Sequence, residues 1–139
     1  MSESIETLLD RGLEKYQAGE KPEDLIPYFQ DICDRAPRNA TAWSCLAWLY
    51  LLTEQDKKAL KAAQKSVKIE SKAPQARINL ALAMLEVGEK GVRQHIEMAQ
   101  RIMALDNQIA SDIQDNIEDG LTRKPDWKSL KRVKKWLLD

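Results

Sequence analysis

Residues 40–73 read ATAWSCLAWLYLLTEQDKKALKAAQKSVKIESKA. Trp43, Leu46, Ala47 and Tyr50 recur at helical spacing in the first half, and Ala59, Ala63 and Ser66 do so in the second. Outside this stretch the same positions return: Tyr16, Tyr50 and Met84 are 34 residues apart, as are Leu9 and Trp43, Leu46 and Leu80, and Ala47 and Ala81. That period is the length of a helix, a turn and a second helix. Each such pair leaves an apolar face that only a neighbouring pair can cover, so the period predicts an all-α solenoid.

Pro and Gly fall between the apolar periodic runs and divide the chain into eight predicted helices. The first covers residues 4–17 and ends at Gly19, and Pro22 and Pro27 bracket the start of a second over residues 24–35. Asn39 heads a third (40–52), Asp56 a fourth (57–70) and Pro74 a fifth that stops near Gly88. Gly91 precedes a sixth running to Leu105. Ile109, Ile113, Ile117 and Leu121 mark a seventh that frays at Gly120, and the eighth starts around Pro125 and Asp126.

Paired in this way, the helices resemble tetratricopeptide repeats: an aromatic, a Leu and a small residue, then a Tyr, followed by small and bulky positions in the second helix. Residues 40–73 match best, with Ala47 in place of the usual Gly. Residues 6–39 align through Leu9, Leu13, Tyr16, Leu25, Phe29, Ile32 and Pro37. Residues 74–109 align through Leu80, Ala81 and Met84, then need two extra residues near Gly88 before His95, Ala99 and Ile102 fall into register. Residues 110–139 read as a degenerate capping pair. The resemblance implies one domain over residues 1–139, a right-handed superhelix of antiparallel pairs.

The resemblance also implies a use. In that family the first helix of each pair lines a concave groove that grips a peptide or helix of a partner protein, the work of a non-catalytic adaptor, scaffold or assembly factor. By position the groove is lined by Ser44, Cys45, Trp48, Leu51 and Leu52, then by Ile78, Asn79, Leu82, Leu85 and Glu86, with Asp10, Arg11, Glu14 and Gln17 in the first unit. Trp43, Leu46 and Tyr50 already supply a core face, so Trp48, Leu51 and Leu52 are surplus apolar surface. Two covers are open: a partner segment, or the chain itself, through its last helix folded back across the groove or through tight curvature. Some family members bind acidic chaperone tails through Lys, Arg and Asn on the groove wall. Only Asn79 stands at such a position here, which argues against that ligand.

Composition bounds the rest. The 139 residues are 43% hydrophobic and 32% charged, with 22 basic and 22 acidic side chains. Residues 1–34 hold nine acids against three bases, whereas residues 120–139 hold seven bases against two acids. In the last helix Trp127, Leu130, Val133, Leu137 and Leu138 share one side, and Lys128, Lys131, Arg132 and Lys135 the other. Such a basic amphipathic helix suits an array cap, or else an anionic membrane surface, an acidic protein or, less favoured, a nucleic acid. The oligomeric state is not readable.

The longest uncharged run, residues 39–53, is 15 residues, short of the roughly 20 that a membrane span needs. The acidic start does not resemble a secretory signal, so a cytoplasmic setting is expected, with peripheral membrane attachment as the alternative. Cys33, Cys45 and the single histidine, His95, form neither a disulfide framework nor a zinc pattern. No catalytic group, metal or cofactor is predicted: the paired acids suit helix starts, and Gly88 and Gly91 do not form a phosphate loop.

Overall fold

The structure, a computed structural model, describes residues 3–138. Among the described residues there are eight helices and no strand: α1 (Ile5–Gln17), α2 (Pro22–Arg35), α3 (Ala40–Leu52), α4 (Asp56–Ile69), α5 (Pro74–Val87), α6 (Val92–Leu105), α7 (Asn107–Arg123) and α8 (Lys128–Leu138). Consecutive helices pack as antiparallel pairs, and α2 meets α3 and α4 meets α5, so the first three pairs stack. None of the helices is long and apolar enough to cross a membrane.

The starts follow from local chemistry. Ser4, Asn39 and Asp106 each accept hydrogen bonds from the first-turn amides of α1, α3 and α7. Gly88 closes α5 in the left-handed conformation, φ 81°, where a β-carbon is costly. Helix α2 differs from its expected start. It begins at Pro22 and runs through Pro27, which lies only one turn and a half into the helix, so the backbone bond that it removes falls on the carbonyl of Glu23 in the opening turn.

The repeat positions become the core. Ala47, Ala81, Ala59, Ala63 and Ala99 are fully buried where helices cross, and Tyr50 and Met84 fill the equivalent bulky positions. His95 takes the place that Ala59 holds one pair earlier and is buried too. The last pair departs from the stack. Helix α8 packs against α5, α6 and α7, and α7 is the longest helix in the molecule at 17 residues.

Candidate functional site

The concave face is carried by α1, α3 and α5, and α7 crosses all three. Asn116 donates to the Gln75 side chain on α5 at 2.9 Å. One turn further on, Gly120 meets Trp48 of α3: a β-carbon there would lie 2.9 Å from the Trp48 ring and 2.7 Å from Leu130. Beside it, Asp119 accepts a hydrogen bond from the Tyr16 hydroxyl on α1. Arg123 stacks 3.9 Å over the Tyr16 ring and donates to the Tyr16 carbonyl at 3.1 Å. Residues 116, 119, 120 and 123 thus touch α5, α1 and α3, as a bound helix would.

Trp48 stands at the centre of this arrangement. Its indole N–H donates to the Tyr16 hydroxyl at 2.9 Å, and its ring lies against that of Trp127, centroids 5.4 Å apart and planes at 46°. Trp127 in turn donates to Glu86 at the end of α5, at 3.1 Å. Lys124 donates to the Leu51 carbonyl at 3.2 Å, which also accepts from the Glu54 amide at the end of α3, and its ammonium lies 4.6 Å from the centre of the Trp127 ring. Burial, reinforced by the hydrogen bond to Asp119, holds the Tyr16 phenol well above the usual tyrosine range. The phenol therefore remains a donor.

Of the residues expected in the groove, Trp48, Leu52 and Leu85 are half-buried. Leu51, Ile78 and Leu82 are 0–1% exposed and belong to the packed interior. Asn79 is also internal, at 1% exposed: it donates to the Ser44 carbonyl and hydroxyl at 3.0 Å and accepts from Gln75 at 2.9 Å. A closed polar chain, Ser44–Asn79–Gln75–Asn116, thereby ties α3, α5 and α7 together, and Asn79 has no free amide for a ligand. Of the covers that the sequence leaves open, the chain's own C-terminal segment is in place: α7 reaches α1, α3 and α5 through side chains, and the last helix, α8, packs against α5 beside it.

Gly120, expected to mark fraying, instead leaves the room that the Trp48 ring and Leu130 occupy. The partnership of Tyr16 with Asp119 and Arg123 escapes sequence reasoning, because it spans 103 and 107 residues and has no local pattern. Trp127, just before α8, and Leu130, Val133 and Leu137 within it are buried, while Leu138 is 39% exposed. Lys128, Lys131, Arg132 and Lys135 face outward. Among the described residues none of these four has an ion-pair partner, whereas Lys134 pairs with Glu118 at 3.0 Å.

The two thiols and the imidazole are buried or engaged by neighbours. Burial pushes the Cys33 and Cys45 thiols up to about 12, which keeps both protonated near neutrality. The Nδ1 of His95 lies 2.9 Å from an Arg77 guanidinium nitrogen and accepts from it, and burial together with Arg77 lowers the imidazole below its ordinary value.

No protein-family model and no curated protein matches the chain. Solved structures do. The translocator chaperone SycD of Yersinia enterocolitica is 22% identical over 99% of this chain and 91% of its own, with a TM-score of 0.65. PcrH of Pseudomonas aeruginosa, solved in complex with the chaperone binding region of PopD, is 22% identical over 86% of this chain and 92% of its own, at 0.66. The TPR2B domain of yeast Sti1, solved as a pHsp70 complex, is 18% identical over 86% and 94%, also at 0.66. At these identities the likeness is one of architecture: three stacked helix pairs and a further pair, with the fold of tetratricopeptide-repeat domains.

Proposed function

We propose that the chain is a non-catalytic protein-interaction module whose concave face takes an apolar helix or peptide of a partner in exchange for its own α7. The observation that carries this reading is the occupancy of the face by α7: a surface built from α1, α3 and α5 already accommodates one amphipathic helix. Trp48, Leu52 and Leu85 lie at that surface, with Leu51, Ile78 and Leu82 beneath them. Central aromatic and aliphatic side chains of this kind dominate most interface energies. The peptide complexes of PcrH and Sti1 TPR2B support the same use of the fold. The raised thiols and the engaged His95 support the absence of catalysis.

The exchange has a direct test. Asp119→Ala with Arg123→Ala removes the polar ties to Tyr16 and should let a labelled peptide of the α7 sequence bind in trans about tenfold more tightly than to the parent chain, a factor equal to about 1.4 kcal/mol. Trp48→Glu should abolish that binding while helicity by circular dichroism is retained. Equal binding by the parent, the loosened chain and Trp48→Glu would sink the reading. Cross-linking from native lysate, parent beside Trp48→Glu, would then identify the partner.

A second reading rests on α8. Lys128, Lys131, Arg132 and Lys135 are exposed without ion-pair partners among the described residues, which suits an anionic membrane surface or an acidic protein. Because Leu130, Val133 and Leu137 are buried within the fold, such attachment would be electrostatic and without insertion. Sedimentation with anionic vesicles should then fall steeply with salt and disappear in Lys128→Glu with Lys131→Glu.

A further inference from the structure

The opposite side of α3 carries a second cleft. Trp43, Leu46 and Tyr50, which point away from Trp48, floor an opening of about 350 Å³ whose rim is Lys58, Lys61 and Lys65 of α4. It continues toward α2 as a neighbouring space of about 400 Å³ that reaches Asp34. The rim is held in place. Lys65 sits 4.5 Å from the centre of the Trp43 ring, Lys58 sits 5.9 Å from that of Tyr50, and Gln30 fixes the Tyr50 hydroxyl at 2.7 Å.

The charge on this wall is one-sided. After Asp56, α4 contains no acidic residue, and among the described residues Lys58, Lys61 and Lys65 have no ion-pair partner. Successive lysines are three and four positions apart, so their stems rise at intervals of about 4.5–6 Å along one side of the helix. An occupant that complements both features has apolar bulk for the floor and carboxylates about one helical turn apart for the rim. A nucleic acid is a poorer fit, because the floor, half-buried Trp43 with Leu46 and Tyr50 beneath it, offers apolar surface in place of a continued basic track.

We propose that this cleft is a binding site, separate from the concave face, for an acidic peptide segment with an apolar anchor residue. The anchor lies over Trp43, Leu46 and Tyr50, and flanking carboxylates pair with Lys58, Lys61 and Lys65. A module with this second site holds two segments at once, one on each side of α3, which links them without contact between them.

The test uses the full chain and a fluorescein-labelled peptide, Glu-Asp-Glu-Leu-Phe-Glu-Asp-Glu, read by anisotropy. Binding should weaken at least about tenfold in Lys58→Glu/Lys61→Glu/Lys65→Glu, and by a similar factor when Leu-Phe in the peptide becomes Ser-Ser. It should fall as salt rises from about 50 mM to about 300 mM, and it should survive unchanged in Trp48→Glu, which separates this site from the concave face. The three lysines lie at the cleft rim and outside the core, so the triple variant should fold; Lys61→Gln/Lys65→Gln provides a milder series with circular dichroism as the check. Four results would overturn the proposal: no binding by the parent chain, equal binding by the triple variant, equal binding of the anchorless peptide, or a salt-dependent self-association removed by the triple variant, which would make a second copy the occupant.

Discussion

At position 120 a hydrogen atom is all that fits between Leu130 and Trp48, and at position 12 the same holds against Phe29, 2.6 Å from where a β-carbon would stand. Alanine gains about 1 kcal/mol of helix propensity over glycine, but overpacking costs about 1–3 kcal/mol, so both Gly12→Ala and Gly120→Ala should lower the urea midpoint. Only Gly120→Ala should also loosen α7. In the sequence Gly120 reads as a frayed end; nothing local distinguishes that from a close crossing, because the neighbour that decides it, Trp48, comes from another helix. His95 sits at a repeat position that implies burial, and it has a pH signature. Its folded value is depressed, by burial first and by Arg77 second, below the ordinary 6.5. The unfolded chain therefore binds more protons below that pH, and stability contributed by the neutral ring is lost as the pH falls. His95→Gln should flatten the stability profile between about pH 7 and pH 5, measured by denaturant titration.

At the level of elements, the periodic positions make the first three pairs legible. Ala47, Ala81, Tyr50 and Met84 have the burial that their spacing implies, and helix limits differ from expectation mainly where Pro27 is absorbed into the first turns of α2. The destination of α7 is not legible. Its apolar row, Ile109, Ile113, Ile117 and Leu121, states only that one side must be covered, and any of several faces would do so. What fixes the choice is long-range pairing: Asn116 with Gln75, Asp119 with Tyr16 and Lys124 with the end of α3. Leu130 is fully buried where α8 meets Gly120, so Leu130→Ala should cost about 2–5 kcal/mol. If α8 were only a surface attachment, thermal unfolding of that variant would match the parent.

Across the whole molecule, the contacts of α7 with α1 alter how the stack shares its stability. A simple repeat array behaves as a chain of nearest-neighbour terms, in which damage at one end leaves the other untouched. Here Tyr16 is joined to Asp119 and Arg123, so the first and last pairs are mechanically connected. Hydrogen exchange should report this: Asp119→Ala with Arg123→Ala should raise amide exchange in α1 as well as in α7, whereas an open array would change in α7 alone. The uneven charge, acidic over residues 1–34 and basic over residues 120–139, adds a weak attraction between the same two ends.

The contact between Trp48 and Trp127 carries a practical consequence. Two indole rings with centroids 5.4 Å apart and tilted by 46° couple electronically, so their absorption transitions mix and give a paired band in circular dichroism that isolated rings lack. One ring belongs to the concave face and the other to the segment that follows α7. Departure of that segment would therefore extinguish the paired band and alter the indole emission. The chain thus carries its own optical reporter of that contact, which needs no dye.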